Sequence, residues 1–144
     1  MPVIYFAGPL FTAAERAFNL ELERRLAGDG FTVFLPQREC DGLSEPERIF
    51  RKCLEGIECA DAVTAILDGT DADSGTAWET GYAFARGIPI VGVRTDFRER
   101  GDDGGFNLML SRSCRAIVAA PSIEGHSIDI VARMIISEIR KALA

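Results

Sequence analysis

The amino-acid sequence predicts an α/β fold: a doubly wound, flavodoxin-like sheet of five parallel strands with helices on both faces. Short apolar runs alternate with longer segments of helical pattern along all 144 residues, which is typical of a parallel sheet covered on both sides. The short runs are rich in β-branched residues, and most are followed closely by Gly or Pro. Since no repeat or linker interrupts the alternation, we expect residues 1–144 to form a single domain.

The elements follow in chain order from these patterns. The predicted strands are residues 3–7, 31–35, 62–67, 88–93 and 116–119. The predicted helices are residues 14–26, 46–59, 74–86 and 128–143, with a short helix at 107–113. Thr12 with Glu15, and Ser44 with Glu47, have the spacing of capping boxes. Residues 37–45 and 95–105 are expected to be surface loops.

Composition excludes several classes of function. The formal net charge of −6 argues against a partner that is a nucleic acid or an anionic membrane. No segment approaches the roughly 18 apolar residues of a membrane span. The N-terminus opens directly into a strand without a basic segment, so we expect no signal peptide and a cytoplasmic protein. The four cysteines show neither a CxxC pair nor metal-ligand spacing, and we expect reduced, mostly buried thiols.

The stretch 68–87 is the centre of the sequence. Its first six residues contain three carboxylates: Asp68, Asp71 and Asp73. The following helix is apolar nearly all round and is predicted to be buried, with Glu79 as the one charged residue of 75–85. Glu79 is either a functional carboxylate in a pocket wall or a solvent-facing residue on a stripe with Arg86. The ligand of such a sheet binds at the carboxyl ends of the strands, where this loop is expected.

Several common chemistries lack their motifs. Neither GxxxxGK[ST] nor a GxGxxG after the first strand is present, and no serine nucleophile elbow occurs, so we expect no cofactor. The remaining candidates are carboxylates and aromatics: Tyr5, Phe11, Asp73, Trp78, Glu79 and Tyr82. A carboxylate can attack a sugar C1′, and flat walls suit a planar base. The acidic cluster is equally compatible with a divalent-cation loop of a receiver-like domain.

Three segments carry a resemblance to a known family. Residues 5–11 read Tyr-Phe-Ala-Gly-Pro-Leu-Phe, residues 73–83 follow Asp-x-Gly-x-x-x-Glu-x-Gly-Tyr-Ala, and residues 106–109 read Phe-Asn-Leu-Met. In this order they resemble the motifs of the nucleoside 2-deoxyribosyltransferases, over nearly the whole chain. The resemblance implies transfer of 2-deoxyribose between nucleobases, with net retention, through a covalent glutamyl-deoxyribosyl intermediate, and a role in nucleotide salvage.

The resemblance also implies roles for individual residues. Glu79 matches the nucleophile that attacks C1′ of a 2′-deoxynucleoside, and Tyr5 matches a tyrosine that orients it. Asp73 matches a carboxylate at the sugar and its 5′-hydroxyl. Asn107 matches an asparagine donated by a neighbouring subunit, so a homo-oligomer with shared sites is implied. Further substrate contacts are implied for Phe11, Gln37, Cys53 and Gly75.

Cys53 departs from the family's pattern. The family often carries an Asp on the second helix, where it handles the leaving base, and Cys53 aligns with that position. A thiol is a poor proton donor to a base nitrogen. Proton transfer would then involve Glu55, Asp68 or water, or the preferred base would differ.

Two alternatives stay open. A sister group hydrolyses 2′-deoxynucleoside 5′-monophosphates and tends to have Ser at the positions of Asp73 and near Asn107. Because Asp73 would repel a phosphate dianion, the free nucleoside is the expected substrate, although three arginines lie near the site loops in sequence: Arg94, Arg98 and Arg112. The second alternative is a non-catalytic flavodoxin-like module that binds a nucleoside or a cation.

Overall fold

A five-stranded parallel sheet forms the centre of the protein. The structure is a computed structural model that describes residues 1–98 and 101–144. The strands are β1 (Val3–Ala7), β2 (Thr32–Phe34), β3 (Ala62–Ile66), β4 (Ile90–Arg94) and β5 (Ala116–Ala119). They pair in the order β2-β1-β3-β4-β5, all parallel. This confirms the predicted fold class, and the point at which the strand order reverses lies between β1 and β3.

Helices cover both faces of the sheet, as predicted. They are α1 (Ala13–Gly28), α2 (Pro36–Glu39), α3 (Pro46–Glu58), α4 (Ser74–Ala85), α5 (Leu108–Ser113) and α6 (Ile128–Leu143). On one face α1 and α6 bury aliphatic residues that include Leu22, Leu26 and Ile135. On the other face α3 and α4 bury Ile57 and Ala83 against β1, β3 and β4. Since apolar burial is the dominant stabilising term, these two layers fix the position of the sheet. They thereby also fix the carboxyl edge of the sheet, from which the loops after the strands extend.

Local signals set the beginning of several helices. The Thr12 side chain accepts a hydrogen bond from Glu15 N at 3.1 Å, and Thr12 N donates to the Glu15 carboxylate at 2.9 Å, so the first predicted capping box is confirmed. The second is wrong: Glu45 is the N-cap residue of α3, and no side chain caps it. The reason is Pro46, which occupies the first helical position and shifts the helix start by one residue from Ser44.

Residues 37–45 are not wholly irregular, in contrast to the prediction. Pro36 begins the four-residue helix α2 directly after β2, because a proline lacks only an N–H that a first helical turn does not use. The predicted strand ends differ from the observed ones by at most two residues. The predicted loop 95–105 includes residues 99 and 100, which lie outside the described part of the chain.

The prediction that α4 is buried all round is wrong. Its outer side is exposed, including Trp78 and Phe84. Trp78 stacks on Tyr82 with ring centroids 5.4 Å apart and meets Phe50 of α3 edge-on at 5.7 Å. A helix that covers a sheet buries one side, and in this chain the apolar residues of the other side pack on each other.

The thiols are less buried than predicted. All four cysteines are free, but Cys59 is exposed, and the other three are half-buried: Cys40, Cys53 and Cys114. Within residues 1–98 and 101–144, no helix is long and apolar enough to cross a membrane.

Candidate active site

A cavity of about 410 Å³ opens at the carboxyl edge of the sheet. Its walls come from the loop after β1, from α2 and the turn that follows it, from α3 and from the first turns of α4. Six of the eight predicted site residues line it: Phe11, Gln37, Cys53, Asp73, Gly75 and Glu79. The strand order therefore brings together residues that are up to 68 positions apart in sequence (11 to 79).

Glu79 lies in the cavity wall, on the second turn of α4. Its Oε2 atom is buried and has no hydrogen-bond partner among the described residues. Burial raises the pKa of Glu79 from 4.5 to about 7, the Tyr5 hydroxyl opposes this by stabilising the charged form, and the charge of Asp73 adds to it. This position differs from the solvent-facing stripe with Arg86 that the sequence left open.

Tyr5 lies beneath Glu79 in the middle of β1. Its side chain is fully buried, and its ring stacks on Phe34 with centroids 5.3 Å apart. Burial, followed by the charges of Glu79 and Cys53, raises the pKa of Tyr5 far above its usual value, so the hydroxyl stays protonated. The hydroxyl makes no hydrogen bond of standard geometry to any described residue, and it is therefore free to donate to the ionised Glu79.

Asp73 caps α4 with one of its two carboxylate oxygens. Oδ2 accepts from Thr76 N at 3.0 Å and from Thr76 Oγ1 at 3.2 Å, whereas Oδ1 accepts no hydrogen bond within the described residues. A Cβ at Gly75 would lie 3.2 Å from Asp73 Oδ2, so glycine keeps this capping carboxylate uncrowded. The cap interaction thus holds Asp73 at the cavity and leaves one oxygen for a ligand.

The three carboxylates of the acidic loop do not form one cluster. Asp68 accepts hydrogen bonds from Thr95 N at 2.7 Å, Thr95 Oγ1 at 2.6 Å and Asp96 N at 3.0 Å, and it therefore ties the loop after β3 to the loop after β4. Asp71 lines a different cavity from that of Asp73. Within the described ranges, no group of three or more side chains is arranged to hold a metal ion.

Gln37 lines the cavity but also fastens its walls. Its Oε1 accepts from Asn19 Nδ2 at 2.9 Å, and its Nε2 donates to Arg16 O at 3.0 Å. Asn19 Nδ2 also donates to Pro9 O at 2.9 Å. These bonds link α1, α2 and the loop after β1, so a contact from Gln37 to a base would use its remaining lone pair or proton.

The wall near Gln37 includes Cys40 and Arg16, which the sequence did not single out as site residues. Cys40 lies 3.8 Å from Cys53, sulfur to sulfur, and Arg16 lines the cavity from α1. Burial raises the pKa of Cys53 to about 12, so its thiol is protonated at neutral pH. The signal that could have identified Cys40 was Pro36. If Pro36 is interpreted as the start of a short helix and not only as the end of a strand, Cys40 lies at the end of that helix.

Asn107 lies in a different cavity from Glu79 within the chain. It lines a space of about 370 Å³ beside α5. It caps α5, since its Oδ1 accepts from Met109 N at 3.0 Å and from Leu110 N at 3.4 Å. Its Nδ2 makes no hydrogen bond to the described residues. In a single chain, Asn107 is therefore separate from the Glu79 cavity.

The three arginines near the site loops are engaged elsewhere. Arg98 pairs with Asp96 at 2.5 Å, and Arg112 Nε pairs with the carboxylate of Asp103 at 2.9 Å. The third, Arg94, donates to Gly105 O and lies over the ring of Phe106. None of the three lines the Glu79 cavity.

Known proteins resemble this chain. Residues 4–111 match a family model described as nucleoside 2-deoxyribosyltransferase, and this segment contains all eight predicted site residues. A conserved protein from Enterococcus faecalis V583 is 26% identical with a TM-score of 0.75, and the match covers 96% of this chain and 99% of that chain. A 2-deoxyribosyltransferase from the psychrotolerant bacterium Bacillus psychrosaccharolyticus is 28% identical, with a TM-score of 0.70 and coverage of 87% and 92%. A 2-desoxiribosyltransferase from Leishmania mexicana is 28% identical, with a TM-score of 0.64 and coverage of 76% and 85%. No curated protein matches the chain.

Proposed function

Because the chain belongs to the nucleoside 2-deoxyribosyltransferase family, we propose that it transfers 2-deoxyribose from one nucleobase to another through a covalent intermediate on Glu79. One observation carries the proposal: the Glu79 carboxylate lies in a cavity wall, and its Oε2 is buried without a partner in the described chain. A buried carboxylate without a partner destabilises a fold, and it is suited to bond to an electron-poor sugar carbon.

The proposed reaction has two displacements at C1′. In the first, an oxygen of ionised Glu79 bonds to C1′ while the bond from C1′ to the base nitrogen breaks, and the base leaves with the electron pair and takes up a proton from the solvent. In the second, the nitrogen of an incoming base bonds to C1′ and loses its proton to the solvent, while the bond from C1′ to Glu79 breaks and the carboxylate leaves with its electron pair. Because the two displacements occur on opposite faces, the configuration at C1′ is retained.

The neighbours of Glu79 support distinct roles in this reaction. The neutral Tyr5 hydroxyl can donate to the ionised carboxylate and orient it. Asp73, through its free Oδ1, can accept a hydrogen bond from a sugar hydroxyl, and Gly75 leaves space beside it. The remaining wall is suited to the base and includes Phe11, Gln37 and Cys53.

The free nucleoside is the proposed substrate. Asp73 lines the cavity, and its charge would repel a phosphate dianion at close range. Arg16 also lines the cavity, and this cation favours the alternative, hydrolysis of a 5′-monophosphate. The two substrates therefore need to be compared directly.

The test is chromatographic. The pure protein is incubated with deoxyinosine and adenine, and separately with each 2′-deoxynucleoside 5′-monophosphate. Deoxyadenosine and hypoxanthine are expected from the first mixture. Glu79→Gln should abolish exchange, whereas Glu47→Gln, an exposed glutamate that pairs with Arg51, should retain it.

Other outcomes would contradict the proposal. Free base released only from a monophosphate would indicate an N-glycosidase, and undiminished exchange by Glu79→Gln would exclude the covalent role. Binding of deoxyinosine without turnover would favour a non-catalytic module.

We further propose that Asn107 completes the site of a neighbouring subunit in a homo-oligomer. Three observations support this: Asn107 lies outside its own chain's Glu79 cavity, its Nδ2 is free of bonds to described residues, and the adjoining Met109 is 75% exposed. An apolar residue so exposed is suited to an interface between copies.

Subunit mixing tests the shared site. Asn107→Asp keeps an oxygen that can cap α5 but replaces the amide donor, so we expect an intact fold with little exchange activity. Mixed oligomers of inactive Asn107→Asp and inactive Glu79→Gln should regain activity, because some sites then combine two native residues. Absence of recovery in verified mixed oligomers would contradict a shared site.

A further inference from the structure

Two thiols meet in the wall of the Glu79 cavity. Cys40 follows α2 and Cys53 lies in α3, and their sulfur atoms are 3.8 Å apart. Both residues line the cavity. The other two cysteines lie elsewhere: Cys59 is exposed, and Cys114 donates to the carbonyl oxygen at position 110. The contact therefore distinguishes one pair among the four thiols.

The chain around this pair permits the sulfur atoms to approach further. A disulfide needs the two sulfur atoms about 2.05 Å apart, closer than the observed 3.8 Å, so the two side chains and the wall segments that carry them must shift. Residues 41–45, which join α2 to α3, are mostly exposed. Gly42 there has φ of +78°, and α3 begins without a side-chain cap. A short, exposed connection of this kind can shift without breaking the core of the sheet.

We propose that Cys40 and Cys53 are a reversible oxidation site, and that a disulfide between them narrows the cavity and prevents substrate binding. The effect on catalysis rests on the proposed function, whereas the disulfide itself does not. The oxidant is a peroxide or a small-molecule disulfide.

The chemistry balances with one peroxide for each pair. The Cys40 thiolate attacks one oxygen of hydrogen peroxide, the O–O bond breaks, and the released hydroxide takes up the thiol proton as water. The Cys53 sulfur then attacks the sulfenic sulfur of Cys40, the S–O bond breaks, and the proton of Cys53 leaves with hydroxide as a second water. Two electrons pass from the two thiols to the peroxide. With a small-molecule disulfide, two exchange steps give the same product and two free thiols.

Cys40 is assigned the first attack. The thiolate is the reactive form, and burial, the largest effect, raises the pKa of Cys53 to about 12. Cys53 then resolves the intermediate from a position that already touches its partner.

The disulfide would act on the side of the cavity proposed for the base. Gln37 lies three residues before Cys40 on α2, and it is held by Asn19 and by the carbonyl of Arg16. Drawing Cys40 towards α3 pulls the end of α2 across the cavity while Glu79 stays on α4. The oxidised protein is therefore expected to lose substrate binding, while the position of the proposed nucleophile Glu79 does not change.

The test uses the full chain. The double variant Cys59→Ser/Cys114→Ser retains only the proposed pair, and Cys40→Ser removes it. Each protein is treated with hydrogen peroxide or oxidised glutathione, and intact mass and non-reducing peptide maps are recorded. The double variant is expected to lose the mass of two hydrogen atoms and to yield one peptide that links positions 40 and 53.

Function and structure are read from the same samples. Exchange between deoxyinosine and adenine should fall at least tenfold on oxidation and return with dithiothreitol, whereas the activity of Cys40→Ser, whatever its level, should not respond reversibly. Backbone hydrogen exchange over residues 40–45 should slow in the oxidised protein. That second reading does not depend on any enzyme activity.

Three results would overturn the proposal. The first is the absence of a linked peptide under conditions that oxidise an added model dithiol. The second is a linked peptide with unchanged hydrogen exchange. The third is a linked peptide with unchanged activity. If the reduced protein shows no base exchange, the proposed function fails, and the peptide map and hydrogen exchange still decide the oxidation site.

Discussion

Replacing Glu79 with glutamine should change the free energy of unfolding in a way that depends on pH. Relative to the native chain, the variant should be more stable at alkaline pH than at acidic pH. Burial raises the pKa of Glu79 from 4.5 to about 7. Between these two pH values the folded protein keeps a proton that the unfolded chain has released. The free energy of unfolding therefore falls as the pH rises from about 4.5 to about 7. Glutamine has nearly the same shape and cannot ionise, so the variant lacks this decrease.

The magnitude follows from the two pKa values. A pKa raised from 4.5 to about 7, at about 1.36 kcal/mol per pKa unit, corresponds to about 3 kcal/mol in full. Over an experimental range from about pH 5 to about pH 8.5, between about 2 and 3 kcal/mol of this should appear. That is a large part of the roughly 5–15 kcal/mol by which a domain is stable.

Urea unfolding measures the effect. The only tryptophan, Trp78, is half-exposed and stacks on Tyr82, so its fluorescence should report the loss of tertiary structure. The stability of Glu79→Gln minus that of the native chain is compared at the two pH values. The exposed Glu47→Gln should show no such difference, and groups that titrate equally in both proteins cancel. Stability curves of Glu79→Gln and native protein that stay parallel within about 0.5 kcal/mol would refute the reasoning.

Three further outcomes are expected. The kcat/KM for base exchange should rise with pH and level off above about 7, because the ionised Glu79 is the nucleophile; a flat profile from pH 5 to 9 would contradict this. Gly56→Ala should cost about 1–3 kcal/mol in thermal or urea unfolding, since a Cβ there would lie 2.8 Å from Phe34. As its matched control, Gly81→Ala meets no atom within 4 Å and should stabilise α4 by up to about 1 kcal/mol. Asp68→Ala should cost about 2–3 kcal/mol, because it leaves three donors of the loop after β4 without their acceptor; an unchanged urea midpoint would show that this tether is unimportant.

Much of the fold was predictable because its signals are local. Apolar runs indicate strands, and Thr12 with Glu15 marks the start of α1 through contacts between residues three positions apart. The errors also have local causes. Pro36 both ends β2 and begins α2, and Pro46 moved the start of α3 away from Ser44.

The candidate site was predictable in its residues and less so in its arrangement. Six of the predicted residues share one cavity, because the sheet order brings the loop after β1 and the start of α4 to the same edge. The acidic loop divides, however, since Asp68 bonds to the loop after β4 while Asp73 caps α4. Such choices depend on which donors lie nearby in space, and the spacing of carboxylates along the chain does not determine them.

By itself, the sequence determined the alternation of strands and helices, the flavodoxin-like order and the motif that contains Glu79, since periodicity, caps and motif spacing are properties of residues close together in the chain. Only the tertiary structure decided that Oε2 of Glu79 is buried without a partner, that Asn107 lies in another cavity and that Cys40 touches Cys53. These features arise where loops from different strands converge, and burial and contact there are set by packing between segments that are distant in sequence.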